Sequence, residues 1–255
     1  MTTPNPSTSP WVLRATALSH TYGRGRDANR ILTSVDLTIR AGEIVGVHGP
    51  SGCGKSTLLR LLARLETPTH GSIEFAERET TGPRPTEAHP PADDTATLPR
   101  RALHRRPNVM PIFQDPTGSL DPRWPIWRSV TEPMLATPWH TTPRRSHRRQ
   151  RASELVAAVG LDPNTLDALP SELSRGQCQR AAILRAIVAD PLVILADEPT
   201  SALDVSVGAG VLHLLAQRAQ RGTAIIVVSH DLDMLAVLCH RRYLLDSGRL
   251  QPTKD

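Results

Sequence analysis

One glycine-rich stretch limits what this chain can fold into more than any other. Glu43–His48 is a short, mostly apolar run containing Ile44, Val45 and Val47, and it reads as a buried strand. Gly49-Pro50-Ser51-Gly52-Cys53-Gly54-Lys55-Ser56 follows and meets G-x-x-x-x-G-K-[ST] at every specified position. Leu58, Leu59, Leu61 and Leu62 then give the apolar face of a helix. Strand, glycine loop and helix start, in that order, turn the pattern into a phosphate site. Gly49, Gly52 and Gly54 let the backbone curl into a nest of inward N–H groups, and the helix terminus adds positive potential. Lys55 would reach the β- and γ-phosphates, and the Ser56 hydroxyl would ligate Mg²⁺.

Composition gives Lys55 weight. Of 30 basic residues only Lys55 and Lys254 are lysines. A chain that otherwise uses arginine has placed a compact ammonium on a thin stem in the loop, where a planar guanidinium is no substitute. At 255 residues one domain with an inserted subdomain is expected. No apolar run approaches the roughly 18 residues of a membrane span. Residues 1–10, MTTPNPSTSP, lack the charged start and apolar centre of a signal peptide and read as a disordered tail. Cys53, Cys178 and Cys239 form no C-x-x-C pair, which fits a reduced, cytosolic setting.

The net charge of +5 is concentrated in two clusters: Arg100, Arg101, Arg105 and Arg106, then Arg144, Arg145, Arg148, Arg149 and Arg151. Neither is interleaved with aromatic residues, so a stacking platform for single strands is not indicated and no nucleic-acid partner is expected. The plain reading is a solvated helix face; contact with anionic lipid headgroups or a partner comes next.

Along the chain, Val12–Leu18 and Ile31–Ile39 read as strands joined by a turn around Gly23 and Gly25, the second alternating apolar and polar residues. A short strand at Ser72–Phe75 follows the phosphate-loop unit. Residues 76–107, rich in Pro, Arg and Thr, read as a surface loop or poorly ordered insertion. Val109–Phe113 is a strand running into Gln114, and the chain from there to about Val188 reads as helical. It includes helices at Arg144–Val159, closed by Gly160, and at Arg175–Ala189. Leu192–Ala196 and Thr223–Ser229 are buried strands, Val205–Ala219 and Asp231–His240 helices, and Arg242–Leu245 a final strand. This alternation predicts an α/β fold: a mostly parallel sheet with helices on both faces, an antiparallel N-terminal portion, and a helical subdomain inserted at about 114–188.

Three further stretches carry chemistry. Leu192-Val-Ile-Leu-Ala-Asp197-Glu198 delivers two adjacent carboxylates to the C-terminal end of an apolar strand, where ligands of open parallel sheets sit. Asp197 could hold Mg²⁺ through its water shell, and Glu198 is placed to polarise an attacking water. Such a pair is often only a turn; the upstream phosphate loop makes it a site. His230 stands at the tip of another buried strand, within reach of a γ-phosphate. Ser174 is a good N-cap for a helix whose start exposes backbone N–H groups at Gly176.

Taken in order, the loop at Gly49–Ser56, Gln114, LSRGQ at Leu173–Gln177, ILADE at Ile194–Glu198, SALD at Ser201–Asp204 and His230 resemble the nucleotide-binding subunit of an ABC transporter, from about residue 11 to 250. IFQDPTGSLDPR at Ile112–Arg123, with GQCQR, is most similar to the peptide/nickel uptake subclass. The resemblance implies a P-loop core that holds ATP through Gly49, Pro50, Ser51, Gly52, Cys53, Gly54, Lys55, Ser56 and Thr57, with Tyr22 stacked on adenine. It implies Glu198 as catalytic base, His230 as γ-phosphate switch, and Gln114 as sensor of Mg²⁺ and water, with Ser56, Gln114 and Asp197 around the metal. Ser174, Arg175, Gly176 and Gln177 match the signature that contacts the ATP of the opposite subunit, and Asp204 matches the loop crossing the dimer interface. Expected partners are a second ATPase subunit, membrane permeases and, indirectly, an extracytoplasmic binding protein, which places the chain at the cytoplasmic face of the membrane. Its end at Asp255 leans toward the shorter nickel- or metal-chelate-like members.

One departure from the family pattern stands out. Arg175 replaces the first glycine of LSGGQ, where a bulky cation would either clash with ATP or pair with its phosphate. The site completed by this signature is expected to be altered, the site on Lys55 and Glu198 intact, and the partner a different chain. The rival reading is a soluble ABC-type accessory ATPase of a cytosolic complex, similar to those of phosphonate degradation; co-isolation with permeases or with a soluble complex separates the two.

Overall fold

A computed structural model describes residues 10–23, 25–76, 109–135 and 144–253. The first ten residues but Pro10, almost all of the 76–107 segment and the first arginine cluster lie outside the described residues. An antiparallel sheet of order β2-β1-β4 is formed by β1 (Trp11–Tyr22), β2 (Asn29–Arg40) and β4 (His70–Phe75). β1 runs four residues past the expected Leu18, which makes Tyr22 its last residue, paired with Asn29.

The second sheet has order β5-β6-β7-β3-β8-β9. β5 (Val109–Ile112), β6 (Val193–Asp197), β7 (Ala224–Val228), β3 (Ile44–His48) and β8 (Arg241–Asp246) are all parallel. Their sequences are continuous apolar runs because each face is covered. In β7, Ala224, Ile226 and Val228 pack with the antiparallel sheet and helix α1 (Lys55–Leu62), while Ile225 and Val227 pack toward the helical side. β6 divides the same way, Val193 and Leu195 against Ile194 and Ala196.

The sequence pattern marks no strand after Leu245, yet β9 (Arg249–Pro252) pairs antiparallel with β8. Ser247 and Gly248 both have positive φ, 47° and 74°, forming a two-residue turn of the primed kind that suits a twisted hairpin. Gly248 is needed there for a second reason: a Cβ would lie 2.7 Å from the Ile31 carbonyl oxygen.

The stretch between β5 and β6 carries α2 (Ile126–Thr131), α3 (Arg145–Val156) and α4 (Arg175–Val188), linked partly by 3₁₀ turns. Pro125 opens α2 and Pro133 follows its end, which keeps it to six residues. α3 passes into a 3₁₀ turn closed by Gly160 at φ 69°, the expected left-handed cap. Of the second arginine cluster, Arg145, Arg148 and Arg149 lie over buried Trp127 of α2 at 5.0, 5.7 and 6.0 Å, and Arg149 also pairs with Asp167 at 2.6 Å. These arginines are therefore partly packing residues rather than a purely solvated face. α5 (Val205–Gln220) and α6 (Leu232–Leu238) complete the chain.

Candidate active site

Four neighbouring parallel strands, β5, β6, β7 and β3, end at one edge of the sheet. β3 delivers the glycine loop, β6 Asp197 and Glu198, β7 Ser229 and His230, and β5 leads to Gln114. This is where the topology of an open α/β sheet places a ligand.

The loop is shaped by its glycines. Gly49 has φ 152°, and a Cβ on it would lie 2.1 Å from the Leu245 carbonyl oxygen. Lys55 donates from Nζ to the Gly49 and Pro50 carbonyls at 2.8 and 2.9 Å, with the Cys53 sulfur at 3.9 Å. A triphosphate offers that ammonium charged acceptors in place of neutral ones. Pro50, Ser51 and Gly52 are exposed along the rim, while Gly54 and Thr57 are buried beneath it.

Ser56 Oγ donates to Asp197 Oδ2 at 2.6 Å, joining α1 to β6 across 141 residues. Burial raises the Asp197 pKa, the Ser56 hydrogen bond opposes this, and the neighbouring Glu198 charge raises it further. A divalent cation would relieve that desolvation, and the oxygen donors of Ser56, Asp197 and the nearby Gln114 fit a hard ion such as Mg²⁺. Gln114 is exposed and lines, with Ser56 and Asp197, a cavity of about 430 Å³ that also meets Arg60, Phe113 and Asp115.

Glu198 occupies the left-handed region at φ 49°. For a non-glycine residue this costs roughly 1–3 kcal/mol and persists only where the surroundings over-determine it. They do so here. Its N–H donates to the Val228 carbonyl at 2.9 Å. Its carboxylate accepts from Ser229 Oγ at 3.1 Å and the His230 backbone N–H at 3.0 Å, and meets His230 Nδ1 at 2.8 Å. The His230 ring is exposed, and its pKa is raised by the hydrogen bond to Glu198 and then by that carboxylate's charge. Ser229, 2% exposed, was not singled out in the sequence; a serine closing a strand reads as an ordinary turn residue.

The signature is built differently. Ser174 caps α4 by accepting from the Gln177 N–H at 3.2 Å, while Gln177 Oε1 accepts from the Ser174 N–H at 2.8 Å, a reciprocal capping box. Arg175 is exposed on the first turn. Asp115, beside Gln114, has its pKa lowered first by the Thr117 hydroxyl, then by the Gly118 N–H, with Arg175 adding a smaller charge effect. Asp204 caps α5, accepting from the Val207 N–H at 3.0 Å and the Ser206 hydroxyl at 2.9 Å.

Tyr22 is 39% exposed. Its hydroxyl donates to Glu66 at 2.6 Å, and its ring meets His20 edge-on at 4.6 Å. Glu66, which also lies near Arg60 at 3.7 Å, is a second residue missed in the sequence, being 44 positions from the tyrosine it holds.

A glycine loop with its lysine, a serine–aspartate pair and a braced glutamate on one sheet edge define a P-loop nucleotide hydrolase. Residues 32–201 match the protein family described as ABC transporter, and the chain belongs to that family. It is 35% identical over 251 residues to the nickel import ATP-binding protein NikE of Shigella boydii serotype 4 (strain Sb227), covering 95% of this chain and 87% of that one. To the NikE protein of Escherichia coli (strain K12) it is 34% identical over 249 residues, with the same coverage. Among solved structures it is similar to the ATP-binding cassette MJ0796 in a dimeric post-hydrolysis state bound to ADP and Pi. That likeness has a TM-score of 0.79 and 30% identity, and covers 95% of this chain and 98% of that one. The chain is an ATP-binding, ATP-hydrolysing subunit of the ABC type.

Proposed function

We propose that this chain powers an importer of the nickel, peptide or metal-chelate class, nickel leading. Support comes from relatives named as nickel import ATP-binding proteins along 95% of its length. The observation that carries the mechanism is the braced Glu198, held by Ser229 and His230 beside the Ser56–Asp197 pair.

In that mechanism Lys55 leaves the Gly49 and Pro50 carbonyls for the β- and γ-phosphates of ATP, and the loop N–H groups line the phosphate chain. Mg²⁺, held by Ser56 and Asp197 with Gln114 near it, would neutralise charge at the transferring phosphoryl group. Glu198 orients the attacking water and accepts its proton, while Ser229 and the His230 N–H keep its carboxylate aimed. His230, exposed at the tip of β7, faces the γ-phosphate; Tyr22 takes the adenine ring.

Two such subunits would close over two ATP molecules, each signature completing the other's site. The dimeric MJ0796 cassettes support that arrangement. Arg175 alters the site completed by this chain's signature and favours a different chain as partner. Among the described residues no helix is long and apolar enough to cross a membrane. We place the chain at the cytoplasmic face, bound to permease subunits that choose the cargo together with an extracytoplasmic binding protein. The import relatives favour this over a soluble accessory ATPase.

Purification from native membranes, followed by ATPase assay in lipid with and without Ni²⁺-loaded binding protein, tests the reading. Co-isolation with hydrophobic permeases and stimulation by the loaded binding protein are expected. Recovery in a soluble multi-enzyme complex would contradict it.

A further inference from the structure

Gln179 lies on α4 one turn after Gly176, with its side chain 0% exposed. Its Nε2 donates to the carbonyl of Pro199 at 3.1 Å, 20 residues away and directly after Glu198. Its Oε1, equally buried, has no hydrogen-bond partner among the described residues. For packing alone a methionine or leucine would serve without burying an idle acceptor, so the retained amide points to its donor.

The Pro199 carbonyl is a consequential place to hold. Glu198 sits at φ 49°, and the direction of the peptide that follows depends on that strained conformation. The strand side of Glu198 is braced by Val228, Ser229 and His230. On the loop side, the Ser201 N–H and hydroxyl donate to the Glu198 carbonyl at 3.2 and 3.0 Å, and Gln179 fixes the next carbonyl from the signature helix. α4 touches the same loop a second time. A Cβ on Gly176 would lie 3.1 Å from the Ala202 carbonyl oxygen, so helix and loop are in close backbone approach.

We infer that Gln179 is a positioning residue that ties the signature helix to the catalytic carboxylate of its own chain. When α4 shifts on engaging the ATP of the opposite subunit, the Pro199 peptide follows, and Glu198 turns toward or away from the water at this chain's ATP. The two ATP sites of the dimer are thereby linked through one buried amide. The inference rests on the roles proposed above for Glu198 and the signature.

Gln179→Met keeps the volume while removing the donor and the idle acceptor. In the assembled transporter, kcat for ATP falls about tenfold, KM for ATP is unchanged and cooperativity in ATP is lost. Thermal unfolding of the ATP-free complex stays the same or rises. Unchanged kcat and cooperativity would overturn the inference, as would a loss of kcat matched by a fall in unfolding temperature, which marks a packing role only. Should the methionine variant fail to fold, Gln179→Leu carries the test with the same outcomes. Glu198→Gln separates the two layers: wild-type hydrolysis in that variant would remove the role of Glu198 itself, whereas a dead Glu198→Gln with a normal Gln179→Met removes only the link.

Discussion

The sheet edge and the signature end are built on opposite plans. At the sheet edge, functional side chains are paired with one another across long stretches of sequence: Ser56 with Asp197, and Glu198 with Ser229 and His230. At the starts of α4 and α5 the capping side chains bond locally, Ser174 with Gln177 and Asp204 with Val207, and Arg175 is exposed. The first plan fixes groups before the substrate arrives, which is what charge stabilisation requires. The second stiffens two helix starts at the surface, which in the proposed dimer would meet the nucleotide of another subunit. In the proposed dimer, the edge is the site this chain supplies and the signature the wall it lends.

That contrast breaks most readily at Arg175. Arg175→Gly removes the cation from the first turn of α4 and should raise ATP hydrolysis in the assembled complex by about tenfold, the equivalent of one mis-set charged contact. The nucleotide affinity of the isolated chain, set by its own loop, should stay as it was. An unchanged rate in the complex would show that the signature end is not altered.

His230 has a raised pKa because Glu198 favours its protonated ring, so it should titrate above the ordinary 6.5 by NMR. For a histidine raised in this way, the interaction contributes to stability fully below the unfolded value and is lost as pH rises through the folded one. Glu198→Gln should bring the midpoint back toward 6.5. The same midpoint in both proteins would mean that the contact between the two side chains does not set the proton affinity of the ring.

The sequence made the sheet edge legible because its parts are local: apolar strands buried on both faces, each ending in a polar residue. Glu43–His48 and Thr223–Ser229 needed little more than their composition. What escaped depended on contacts between distant positions. β9 is four residues long with Pro252 at its end, and its best signal, the Ser247-Gly248 turn, is short. The packing of Arg145, Arg148 and Arg149 on Trp127 joins residues at least 18 positions apart, so a charge run read alone resembled a solvated face. Glu66 and Ser229 carry no motif of their own; each matters through the side chain it holds, Tyr22 in one case and Glu198 in the other.

In the proposed mechanism Glu198, braced by Ser229 and His230, performs the hydrolysis of ATP held on Lys55. Measuring single-turnover ATP hydrolysis and dimer formation together in Glu198→Gln tests it most directly. Hydrolysis is expected to fall at least about a hundredfold, while ATP is retained and the subunits stay paired around it. Hydrolysis near the wild-type rate in that variant would contradict it.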